Sequence, residues 1–232
     1  MIVLRPGAER GHANHGWLDS FHSFSFGGWH DPSRMGFGPL RVINEDRVEP
    51  GGGFAPHGHR DMEIITWVLE GALEHRDSMG NGSVIRPGDA QRMSAGRGVV
   101  HSEYNHDPAA RVHFLQIWIE PSVRGAEPGY AQRHIAPAAR RGRFALVASP
   151  DGADDALPIL QDARLHAGLF DGAEQCSLVF GAGRRAYVHV ARGELEVAGR
   201  RLRAGDALEC SDEPRLEFSR GLQAEVLVFD LP

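Results

Sequence analysis

The chain repeats itself. Gly71-Ala72-Leu73-Glu74-His75 recurs as Gly193-Glu194-Leu195-Glu196-Val197, and Pro87-Gly88-Asp89-Ala90 recurs as Ala204-Gly205-Asp206-Ala207. Fragments that return in the same order, each carrying a turn residue, mean one supersecondary unit used twice. The unit is built from strands. Runs at 40–43, 64–69, 112–119, 143–149, 187–190 and 225–229 are rich in branched and aromatic residues, with Gly, Pro and Asp turns between them. That is the pattern of an all-β barrel or sandwich. Helical periodicity is poor, and short helices are expected only near 19–24 and 130–134. With 232 residues and 41% hydrophobic content, the chain can supply a core to each of two domains. The boundary is placed in the Pro/Ala/Arg-rich stretch 121–143, giving domains 1–125 and 126–232.

Only the first copy carries legible chemistry. Pro56-His57-Gly58-His59 and Val100-His101-Ser102-Glu103 each hold two ligand-type side chains at i and i+2. In a strand such a pair points to one face, about 6.5–7 Å apart along the chain. Glycines precede each pair (Gly51-Gly52-Gly53 and Gly96, Gly98), so tight turns can return distant ligands to one place. A lone His-x-His is explained as well by solvated strand histidines. Both halves together favour a metal. Three imidazoles and a carboxylate make a mixed N/O site that suits divalent iron, nickel, copper, manganese or zinc. Glu63 falls on the face of His57 and His59 if their strand stays regular, and is expected as a hydrogen-bond partner behind the ligands. Offsets counted from Gly193 and Gly205 put Val179, Gly181, Phe218 and Arg220 at the matching positions of the second copy, which is therefore expected to be metal-free.

Other classes of function are disfavoured. The net charge of −6, with arginines scattered rather than striped, argues against nucleic acid. No run approaches the ~18 consecutive apolar residues of a membrane span, and Met1-Ile2-Val3-Leu4-Arg5 lacks a signal-peptide layout. Cys176 and Cys210 cannot make a disulfide framework and are expected as buried free thiols of a cytoplasmic monomer.

The first ligand block resembles the first cupin motif in Gly51, His57, His59, Glu63 and Gly71, with one extra residue before the last glycine. The second block resembles the second cupin motif in Gly88, His101 and Asn105. It departs in having Ser94 where proline is usual and two additional residues before the histidine. Those departures, with the stretches 11–22, 31–32, 35–44, 74–80 and 93–103, are similar to the pirin family, and to its bacterial members most closely. The resemblance is dense over 1–120 and weak but colinear over 121–232.

It implies a bicupin, two β-barrel (double-stranded β-helix) domains packed face to face, with one metal in the first. The ligands would be the residues matching the family's set, His57, His59, His101 and Glu103, and the usual metal would be iron. It also implies quercetin 2,3-dioxygenase activity: O₂-dependent ring cleavage of a flavonol-like substrate, with Glu103 as ligand and proton acceptor. The competing readings are a non-catalytic redox sensor or partner-binding regulator, and a structural bicupin with incidental activity. Phe24, Phe26, Phe37, Phe54 and Trp67 are candidates to line a pocket, although each is individually expected in the core. The remaining histidines have no partner at ligand spacing and read as structural, with His12, His15 and His22 the ones placed to reach a pocket rim.

Overall fold

A computed structural model describes residues 1–232, and the chain is nearly all β. The helices expected at 19–24 and 130–134 are strands: Leu18–His22 and Gly129–His134. In the first, Leu18, Ser20 and His22 all point inward, so polar residues occupy both faces and mask the strand period. The only α-helix is Pro137–Arg140. No helix is long and apolar enough to cross a membrane.

The chain divides into two compact units. One comprises 10–134 with 159–161, and the other comprises 1–9, 135–158 and 162–232. In the first unit a seven-stranded sheet runs Gly129–His134, Asp89–Ser94, Glu63–Glu70, Val112–Ile119, Leu40–Val48, Leu18–His22, Gly11–Asn14. A four-stranded sheet runs Gly53–His59, Val99–Asn105, Leu73–Asp77, Gly82–Ile85. The sheets are open and do not close into one hydrogen-bonded ring. Leu18, Val48, Val68, Val112 and Phe114 of the larger sheet pack on Leu73 and Ile85 of the smaller. Each such burial contributes roughly 1.5–3 kcal/mol.

Beyond that apolar end the inner face of the larger sheet is polar. His22 lies opposite Asn44, Asn44 opposite Gln116, Gln116 opposite Thr66, and Thr66 opposite Gln91. This in-register row crosses five strands and is buried.

The other unit is a nine-stranded sheet whose main path runs Ile2–Arg5, Ala207–Ser211, Arg185–Val197, Arg215–Leu231, Arg164–Phe170, Phe144–Ser149, Leu157–Pro158. The N-terminal strand belongs here: Ile2 pairs with Cys210 and Arg5 with Ala207. The repeat is visible as matched turns. Gly71 and Gly193 both have positive φ, 76° and 65°. A Cβ on Gly193 would sit 2.3 Å from the Leu222 and Gln223 carbonyl oxygens, and one on Gly71 2.9 Å from that of Arg111. In the second matched turn, Asp89 Oδ2 accepts from Arg86 N at 2.9 Å and Asp206 Oδ2 from Arg203 N at 2.9 Å.

Candidate metal centre

Gly53–His59 and Val99–Asn105 are adjacent antiparallel strands, with His101 paired to His57 and Val99 to His59. The three imidazoles form a triangle with ring centroids 4.9 Å (His57–His59), 4.4 Å (His57–His101) and 4.9 Å (His59–His101) apart. One ligand nitrogen of each lies within 4.8 Å of the others. Ligands held at about 2.0–2.1 Å from one ion sit roughly 3 Å apart, so a modest closing of the rings accommodates it.

The protonation pattern fits a metal. Nδ1–H of His57 donates to the Ala55 carbonyl at 2.8 Å, which leaves its Nε2 lone pair available. His101 is buried, and its Nε2 has no hydrogen-bond partner in the protein. Burial, then the neighbouring His57, pushes His59 down to about 4. Burial with His57, His59 and His75 pushes His101 down to about 3. These two rings are therefore neutral at physiological pH, as ligands must be.

Glu103 follows on the same strand after a register shift in the pairing with Gly53–His59, where Pro56 supplies no N–H. Its carboxylate shares a second group of candidate ligand atoms with His101 and His75, again within 4.8 Å. Gln116 Nε2 donates to both of its oxygens, at 2.8 and 3.1 Å. Burial raises Glu103 to about 7 against the Gln116 bond, and the nearby Asp46 adds to the rise. Asp46 is itself raised to about 7 by burial, against its bond from Ser20.

Glu63 departs from expectation. Asp61, at φ 48°, turns the chain, and Glu63 opens a strand of the other sheet. Its Oε2 accepts from Ser94 Oγ at 2.8 Å, with Arg92 beside it. It is buried in a different network and does not back the histidines.

His75 was missed by the sequence reasoning. It is fully buried and paired across the ladder with Glu103, as Asp77 is with His101. Its Nδ1 faces His101 Nδ1 at 3.5 Å, its Nε2 faces Asp77 Oδ2 at 3.3 Å, and Tyr130 stacks on it at 5.0 Å. The signal was the i, i+2 pair His75-x-Asp77 on the strand after the Gly71 turn.

A cavity of about 570 Å³ opens on this cluster, lined by His57, His59 and Glu103. Its aromatic wall includes the expected Phe26 and Phe54 together with Trp17 and Trp118. Phe24 and Trp67 are core residues, and Phe37 bridges to Leu40. His15 and His22 reach the cavity, whereas His12 stacks on Phe21 and bonds Asp19 at 2.6 Å. In the second unit, Phe218 is packed against Phe144 at 4.7 Å and Arg220 pairs with Glu196 at 3.0 Å. Both cysteines are free. Cys210 is buried and its thiol pushed up to about 12, but Cys176 is only partly buried.

Two β units of one repeated design, the first holding a histidine cluster suited to a divalent ion, define a bicupin. The chain belongs to the pirin family: the Pirin model matches residues 4–119, and that of the quercetinase C-terminal cupin domain matches 146–231. It is 47% identical to a quercetin 2,3-dioxygenase of Escherichia coli K12 over 100% of this chain and 99% of that one. A pirin-like protein of Caulobacter vibrioides is 41% identical over 99% of each chain. The crystal structure of the bacterial pirin YhhW from E. coli in complex with nickel(II) superposes with a TM-score of 0.95 at 46% identity, covering 100% of this chain and 99% of that one.

Proposed function

We propose that the chain is a mononuclear metal-dependent dioxygenase acting on a flavonol-like substrate, with His57, His59, His101 and Glu103 holding the metal. The observation that carries this is the buried His101 Nε2, unpartnered in the protein, on a ring that shares one group of candidate ligand atoms with His57 and His59 and a second with Glu103 and His75. The names of the relatives and the nickel(II) complex of YhhW support the same reading. Iron(II) is the proposed ion; bound there it would supply Lewis acidity toward the substrate hydroxyl and access to O₂ chemistry.

The protein's own part follows from the geometry. Trp17, Phe54, Phe26 and Trp118 give a planar aromatic ligand apolar walls that exclude water. Glu103 accepts the proton of the hydroxyl presented to the cluster. Gln116 clamps both its oxygens, so the acceptor is held in one orientation. Overall, a flavonol and O₂ are converted to a depside and carbon monoxide.

The test is quercetin bleaching by protein reconstituted separately with iron, nickel, manganese, copper and zinc. Metal-dependent turnover supports the proposal. Stoichiometric metal binding with no turnover of any flavonol points instead to the regulatory reading.

A further inference from the structure

The polar row ends, at Leu18–His22 and Leu40–Val48, in two buried atoms with no partner in the protein: His22 Nδ1 and Asn44 Oδ1. Both residues are only 4% exposed, both line the cavity, and they face one another across the ladder. An unmet polar atom in such a place costs about 1–3 kcal/mol, so a ligand that meets it is favoured.

The direction of the unmet bond follows from the ionised form of Asp46, to which the Ser20 hydroxyl donates. Ser20 Oγ then accepts from His22 Nε2 at 2.9 Å, which places the imidazole hydrogen on Nε2. Burial, with His12 and Arg10 nearby, holds the ring neutral by lowering its pKa. Nδ1 is thus a lone pair. Asn44 Oδ1 is also an acceptor, so the pair calls for hydrogen-bond donors, which the hydroxyls of a polyhydroxylated aromatic supply.

Its place relative to the histidine cluster is set by three ring contacts. His22 meets Phe26 at 5.3 Å, Phe26 meets Trp118 at 5.5 Å, and Trp118 meets His59 at 5.0 Å. All four rings line one cavity, so a ligand of two or three linked rings can lie along them.

We propose that His22 and Asn44, with His22 aligned by Ser20 and Asp46, form a hydroxyl-recognising subsite that selects polyhydroxylated aromatics over analogues whose only hydroxyl goes to the metal. This rests on the assignment of the cavity as the substrate site. The experiment titrates quercetin and 3-hydroxyflavone into the protein, with and without zinc, under anaerobic conditions, and reads quenching of tryptophan fluorescence, to which Trp17 and Trp118 of the cavity wall contribute.

The wild type is expected to bind quercetin about 10–100-fold more tightly than 3-hydroxyflavone. His22→Phe and Asn44→Leu should erase most of that preference and leave 3-hydroxyflavone affinity in place. A wild-type preference within about twofold overturns the subsite, as does a preference retained in both variants. Asn44→Leu carries the test if His22→Phe fails to fold. Failure to hold zinc would overturn the metal centre alone, since the preference is read in its absence too.

Discussion

His101 sits directly across the strand ladder from His57, with ring centroids 4.4 Å apart. That one pairing joins two sequence blocks that the turns between them bring back together. It also leaves His101 at the meeting point of two clusters, one with His57 and His59 and one with His75 and Glu103.

Replacing His59 or His101 by Ala is expected to weaken metal binding by more than the roughly 10–100-fold that loss of a supporting partner costs. The fold should survive, because neither histidine belongs to the apolar cluster of Leu18, Val48, Val68, Val112 and Phe114. Metal content after dialysis, read with the thermal midpoint, checks both halves of the statement.

His75→Gln and Asp77→Asn test the support behind the ligands. With His101 Nε2 facing the metal, Nδ1–H points at His75, and His75 Nε2–H at Asp77. Either change should lower metal affinity about 10–100-fold, measured by competition with a chelator. Glu63→Gln should leave that affinity unchanged, since its partner is Ser94.

The ligand pairs were legible because strand geometry translates i, i+2 spacing directly into a shared face. The repeat was legible because Gly71 and Gly193 serve turns that a side chain would obstruct. The polar row was not. Ser20, His22, Asn44 and Gln116 point inward where apolar residues are the rule, so the alternation that marks a half-buried strand vanishes. Glu63 was misplaced because the fixed spacing ignored the turn at Asp61. The pairing of Ile2–Arg5 with Ala207–Ser211 leaves no local pattern at all.

Asp46 gives a pH signature. Burial raises its pKa from 3.8 to about 7, so the folded state holds a proton that the unfolded state releases above pH 4. Its stabilising share is complete below that point and lost as pH rises toward 7. Asp46→Asn keeps an acceptor for Ser20 and removes the titration. The variant should melt close to wild type at pH 4 and above it at pH 8, by an amount on the order of a few kcal/mol. Parallel melting curves at the two pH values settle it.

Glu103→Gln separates binding from chemistry. The amide keeps one oxygen for the metal but cannot accept the substrate proton, so turnover should fall ~10²–10⁴-fold at saturating metal. The kcat measured in excess iron(II) reads this directly.

The most direct test of the central proposal is carbon monoxide release. Iron-loaded protein is mixed with quercetin anaerobically, O₂ is admitted, and carbon monoxide is measured against quercetin consumed. The account predicts equimolar release by the wild type and none by His101→Ala or by metal-free protein. Fully iron-loaded wild-type protein that consumes no quercetin and releases no carbon monoxide would contradict it.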